Sequence, residues 1–278
     1  MITRPITRPV TQPIARSVNA QFGNVWNPRA LFALGEQGFW FDTNDLSSMW
    51  QDAAKTVPVT GPDQPVGYQL DKSGRGNHRF QTAPAARPML RYNATTGSHY
   101  LAYDGSDDFL VTNAIDLTST DKVSVFVGVQ SLSDTISVIV DFSVSPAGTP
   151  NTFTLIRNQG VGTKNYSFGS RGSAALSYAH AQNGAYPTPS SDVISAFCSI
   201  SGDISVLRID GTQVASNSQD QGTGNYGNHP MYFGRRGGTS LPFNGHEYSP
   251  ICVGRLTTAA EIANIERLLA RQVGVQLA

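Results

Sequence analysis

From Val123 onward the chain runs in short apolar stretches, each closed by Gly, Asn, Asp or Pro. Val123 to Val129, Ile136 to Phe142, Thr152 to Ile156, Tyr166 to Phe168, Ala174 to Tyr178, Val193 to Ile200, Ile204 to Ile209, Gln213 to Ala215, Met231 to Phe233 and His246 to Val253 all read as strands. A period of two sets one face on a core and the other in water, and turn residues at this spacing predict a sandwich. Upstream, Gly38 to Asp42 predicts one more short strand, and Asn44 to Trp50 a turn opened by Asn or Asp capping. Helix is nearly absent until Thr258-Ala259-Ala260-Glu261, a capping box that opens a helix to about Gln272, with Gly274 as its stop. Ile262, Ile265, Leu268 and Leu269 share one face, so this helix is expected to lid the sandwich; an oligomer contact is the competing reading.

Three turns add detail. Asp71-Lys72-Ser73-Gly74-Arg75-Gly76-Asn77-His78 predicts an ordered loop, because Gly and Asn tolerate the positive φ angles of tight turns. Tyr100 to Val111, two apolar runs around Asp104-Gly105-Ser106-Asp107-Asp108, predicts a hairpin, and so does Ile204 to Val214 around Asp210-Gly211. Asp71-x-Ser73-Gly74-x-Gly76-Asn77, then Arg87-Pro88, then the Asp104 to Asp108 turn before a long strand, resembles the laminin-G-like (concanavalin-A-like) jelly-roll family. More narrowly it is similar to the form found in bacteriophage virion proteins, with Trp40-Phe41-Asp42-x-x-Asp45-Leu46-Ser47 as the matching opening and Phe243-Asn244-Gly245-His246 as the entry to the last strand. The resemblance runs from about Phe39 to Gly274 and rests on the order of short motifs. Fold expected: an all-β antiparallel jelly-roll sandwich with an extended amino-terminal arm and one carboxy-terminal α-helix. Residues 1–30 form the arm and connector, and 31–278 the sandwich with its helix at about 258–272.

The arm repeats an apolar residue, Thr, Arg or Gln, and Pro, with Pro5, Pro9 and Pro13 at every fourth position. That spacing removes backbone donors and forbids a helix, leaving a polyproline-like segment that makes no core of its own. It is expected to dock on another chain through Ile2, Arg4, Pro5, Ile6, Arg8, Pro9, Val10, Gln12, Pro13 and Arg16; folding back on its own domain is the alternative. No acidic residue precedes Glu36, so an acidic groove with apolar pockets would suit it.

Composition narrows the chemistry. Twenty basic residues balance twenty acidic ones, which argues against a nucleic-acid surface, since phosphate neutralisation needs clustered Lys and Arg. No run approaches a membrane span, and no apolar signal-peptide core is present, so the chain is expected to be soluble as made. Cys198 and Cys252 are expected as buried free thiols, a single bridge being the alternative. The five histidines lack metal-ligand spacing, and the Gly-rich Gly234-Arg235-Arg236-Gly237-Gly238 lies between strands, where it lacks the helix a phosphate loop needs. No metal or other cofactor is expected, with Asp104, Asp107 and Asp108 as the one candidate oxygen set for calcium. The jelly-roll family also hosts glycosidases, but the strand-borne Glu-x-Asp-x-Glu is missing among only four glutamates: Glu36, Glu247, Glu261 and Glu266.

No catalytic residue is therefore assigned. The resemblance implies a structural virion protein, an appendage or decoration subunit present in several copies and held to other virion proteins by its arm. A carbohydrate-binding receptor module is the alternative, with Tyr178, Tyr186, Tyr226 and Tyr232 as its candidate ligand contacts. A glycan depolymerase using Asp104, Asp107, Asp108 or Asp141 comes third. Trp40, Phe41 and Trp50 also offer a stacking platform, although two of the three are expected in the core.

Overall fold

The computed structural model describes residues 26–160 and 163–278. In chain order the strands are β1 (Gly38–Trp40), β2 (Met49–Trp50), β3 (Gln64–Pro65), β4 (Tyr68–Gln69), β5 (Arg79–Phe80), β6 (Met89–Asn93), β7 (Ser98–Asp104), β8 (Leu110–Asp116) and β9 (Lys122–Ser131). They continue as β10 (Ser137–Phe142), β11 (Thr152–Arg157), β12 (Tyr166–Arg171), β13 (Ser177–His180), β14 (Ser190–Ser199), β15 (Ile204–Ile209), β16 (Thr212–Asn217), β17 (Asn228–Phe233) and β18 (Asn244–Val253), followed by helix α1 (Ala259–Val273). Two nine-stranded antiparallel sheets face each other: the first ordered β16-β15-β14-β9-β18-β7-β6-β3 with β1 beside β18, the second β13-β12-β11-β10-β17-β8-β5-β4-β2. This is an all-β sandwich with one carboxy-terminal helix.

The pattern of apolar positions explains the layering. On β9, Val123, Val125, Val127 and Val129 face the second sheet in the main core, while Phe126 faces the other way. Phe126 joins Phe197, Tyr248, Ile251 and Val253 in a second cluster closed by Ile265, Leu269 and Val273 of α1. The central strands of the first sheet are thus covered on both faces, and they read as continuous apolar runs. Gly128 lets the helix come this close, since a Cβ there would sit 2.5 Å from a Val273 methyl. The capping box forms as expected, with the Glu261 carboxylate accepting from Thr258 N at 2.8 Å, and Gly274 ends the helix in the left-handed region. Arg255 ties the helix start down, donating to both Glu261 and Glu36.

Two expectations need correction. Tyr100 to Val111 is not a hairpin: β7 pairs with β6 and β18 in the first sheet, whereas β8 pairs with β5 and β17 in the second. The Asp104 to Asp108 turn instead carries the chain from one sheet to the other, a role with the same turn chemistry as a hairpin. The strand expected at Ala174 to Tyr178 lies at Ser177–His180. The Asp210-Gly211 hairpin is present, joining β15 and β16 with φ of 49° and 83° at the turn. Cys198 and Cys252 are free and buried, and burial raises the Cys252 thiol far above its usual range.

Candidate functional site

The second sheet has one face in the core and one outside it, and register separates the two. Met49, Gln69, Arg79 and Thr112 lie opposite one another on β2, β4, β5 and β8, and all are buried. The neighbouring rung points away from the core, although Asp141, Thr154 and Gly169 in its middle are covered from solvent. Trp50 is opposite Tyr68, Tyr68 opposite Phe80, Phe80 opposite Val111, and Val111 opposite Tyr232. Tyr232 is opposite Asp141, Asp141 opposite Thr154, Thr154 opposite Gly169, and Gly169 opposite Tyr178. Directly opposed residues of an antiparallel pair share a face, so these nine residues form one rung across all nine strands, roughly 38 Å long at about 4.8 Å per strand.

The rung has aromatic ends and a polar middle. Trp50 meets Tyr68 edge to face at 6.0 Å, and the Lys55 ammonium stands 4.9 Å over the Tyr68 ring. Phe109, from the turn before β8, adds a ring 6.4 Å from Tyr232. At the far end Tyr178 lies flat against Gly169, where a Cβ would come within 2.5 Å of the ring, and stacks on His180 at 5.2 Å. All of these aromatic side chains are half-buried except His180, which is exposed. Burial also lifts the Tyr178 hydroxyl to about 12, so it stays a donor at neutral pH.

In the middle, Asp141 is fully buried. Arg236 Nε donates to its Oδ2 at 2.8 Å, and Thr154 donates to its Oδ1. Burial raises the Asp141 carboxyl to about 6, against the pull of Arg236 and Thr154. Arg236 Nη2 is buried beside the rung and has no hydrogen-bond partner among the described residues.

Of the tyrosines expected to contact ligand, the structure brings Tyr178 and Tyr232 onto this face. Tyr226 is a correction: it is 1% exposed, its hydroxyl pairs with Ser170 at 2.8 Å, and it packs among Phe142 and Phe153 in the core, where no ligand reaches it. Tyr186 is half-buried against Tyr166. Phe41 and Trp40 are buried, while Trp50 lies on the rung. Sequence reading did not single out Tyr68 and Phe80 for this face, because nothing local marks them and only the register of distant strands aligns them; Arg236 reaches it from the loop after β17. Ile2, Arg4, Pro5, Ile6, Arg8, Pro9, Val10, Gln12, Pro13 and Arg16, expected to bind a partner, lie outside the described residues.

Glu247, Asp104 and Asp108 are engaged within the fold. Glu247 is buried in the core with Arg79 at 2.6 Å, and Arg79 also grips Gln69 and lies over the Phe41 and Phe233 rings. Asp104, Asp107 and Asp108 bring oxygens within 4.8 Å of one another, the one such group of potential metal ligands among the described residues. Their oxygens also hold the turn: Asp108 accepts from Asp104 N, and Asp104 accepts from Ser106 N. Among the described residues no helix is long and apolar enough to cross a membrane.

No protein-family model matches the chain, and no curated protein matches it significantly. Solved structures do. The binding domain of botulinum neurotoxin serotype G aligns with TM-score 0.55 at 12% identity, over 72% of this chain and 48% of that one. The serotype D binding domain aligns with TM-score 0.54 at 13% identity, over 81% and 51%. A second structure of the latter, described as the receptor binding domain of botulinum neurotoxin D, gives TM-score 0.51 at 13% identity, over 81% and 53%. The chain spans about half the length of these structures, and at such identity the likeness is one of fold.

Proposed function

We propose that this chain is a non-enzymatic glycan-binding module, and that its ligand lies along the outer rung of the second sheet from Trp50 to Tyr178. The observation that carries the reading is the register itself, which lines up half-buried aromatic side chains on both sides of an Asp141–Arg236 couple. Sugar rings present apolar C–H faces and hydroxyl edges. Aromatic faces pack the former, and a few fixed polar groups orient the latter. The partly exposed run from Trp50 to Tyr232 crosses five strands, a length that suits an oligosaccharide better than a monosaccharide. The receptor-binding description of the structural neighbours agrees with a binding role, and the resemblance to phage virion proteins supplies its setting, a particle-borne module whose ligand is host surface glycan.

The carboxylates support binding over hydrolysis. Glycoside cleavage needs two carboxyl groups free to face one bond. Asp141 has both oxygens engaged, and Glu247 is sealed in the core. Replacing Tyr232 or Trp50 by Ala is expected to weaken binding to a cognate oligosaccharide by about tenfold, the loss of one well-buried contact. Isothermal titration of the full chain and each variant measures this; undiminished binding in both variants overturns the assignment of the face.

A further inference from the structure

On the opposite side of the molecule from the aromatic rung, α1 packs Ile265, Leu269, Ala270 and Val273 onto the first sheet. Its flank is a different surface. Asn264, Arg267, Leu268 and Arg271 fall at i, i+3, i+4 and i+7, one continuous stripe along the helix, and they line a hollow of about 790 Å³. Trp26 and the chain after the helix, Val275 and Leu277, add apolar walls. These walls are fixed in advance. Gly274, at a φ of 88°, turns the chain out of the helix, and Gly274 N and Val275 N both donate to Ala270 O, at 2.8 and 3.1 Å. Ala278 N then donates to Asp210 O at 3.0 Å, so the segment is pinned at both ends. A preorganised groove lowers the entropic cost of filling it.

The two arginines of the stripe carry uncompensated charge. Among the described residues, Arg267 donates only to Ala263 O and Asn264 Oδ1 of its own helix, at 2.9 and 2.8 Å, and Arg271 only to Arg267 O at 3.2 Å. No carboxylate side chain lines the hollow, and both carboxylates of α1 are taken, Glu261 by Arg255 at 2.7 Å and Glu266 by Arg208 at 2.9 Å. A guanidinium offers five N–H donors in a rigid fork that matches a carboxylate, so most of each fork remains for a partner.

We infer that this groove seats an extended segment of a partner protein in which acidic and apolar residues alternate. Arg267 and Arg271 stand about 6 Å apart along the helix axis, four residues at about 1.5 Å each. Alternate side chains of an extended peptide share one side and repeat at about 6.6 Å, so carboxylates at i and i+2 reach both arginines while the residues between them meet the apolar walls. Asn264 and Gln276 add side-chain amides that suit a peptide backbone. Phosphate polymers carry the charge without the apolar groups, and would leave Trp26, Leu268, Val275 and Leu277 unpartnered. The inference is independent of the glycan face, which lies on the other sheet.

The test titrates the full chain with a short blocked peptide of alternating Asp and Leu, and with the same peptide carrying Asn for Asp. The Asp peptide should bind, the Trp26 indole N–H resonance should move while that of Trp50 stays, and added salt should weaken binding as the Debye length falls toward about 3 Å at 1 M. Arg267 and Arg271 are both exposed, so a double Arg267→Gln, Arg271→Gln variant keeps the fold, and it is expected to bind the Asp peptide about tenfold more weakly. Equal binding of the Asp and Asn peptides, equal affinity in the double variant, or an unmoved Trp26 resonance overturns the inference. Sedimentation of the native chain as a dimer that the double variant does not form also overturns it, because the groove is then seated on a second copy.

Discussion

Arg79 and Glu247 come from opposite sheets, 168 residues apart, and meet with no exposed surface on either side chain. Removing one partner leaves an unpaired charge in the core, so Glu247→Ala is expected to cost about 3–5 kcal/mol in urea denaturation, whereas replacing both by apolar residues of similar volume recovers most of it. Nothing in the sequence showed this. Glu247 stands on a strand between His246 and Tyr248, and its partner is named only by the fold. Two carboxyls predict opposite pH responses. Glu261 is held at about 2 by Arg255 and the Thr258 cap, below its ordinary 4.5. Its charged form is therefore the stabilising one, and that stability is complete above about pH 4.5 and lost as pH falls toward 2. Glu261→Gln should flatten this acid limb of a stability profile. Asp141 is raised by burial to about 6 from 3.8, so the fold favours its protonated form and stability falls as pH rises from about 4 to about 6. Asp108 and Asp210, also raised to about 6 by burial, act in the same direction. Asp141→Asn should reduce that slope without abolishing it.

At the scale of elements, the parts legible in the sequence are those whose physics is local. The Thr258–Glu261 box, the stop at Gly274 and the Asp210-Gly211 hairpin are each set by residues within a few positions of one another, and all three appear as expected. Thr258→Ala should cost about 1 kcal/mol of stability by the loss of its cap. The Asp104 to Asp108 turn was misplaced because Asp-Gly chemistry fixes how the chain reverses, not which sheet receives the next strand. Gly169 on β12 belongs to the illegible kind: in sequence it is an ordinary strand glycine, and only the register with β13 shows that it makes room for the Tyr178 ring. Gly169→Ala is expected to push that ring off the sheet and weaken glycan binding, with an unchanged far-ultraviolet circular dichroism spectrum.

For the molecule as a whole, the two sheets divide the work. The first has its central strands buried on both faces, by the second sheet and by α1, and serves as scaffold. The second keeps one face outside the core, and there residues from nine strands converge on one rung although they span Trp50 to Tyr232 in sequence. Aromatic residues at these positions would pass as core in any strand taken alone, which is why Tyr178 and Tyr232 could be named as candidates while Tyr226 could not be told from them. The most direct test is to probe an oligosaccharide array with the full chain and with a Trp50→Ala, Tyr232→Ala double variant of matched thermal stability. The proposed function predicts binding to at least one extended oligosaccharide by the native chain and its loss in the variant. No binding to any glycan, or equal binding by both proteins, would contradict it.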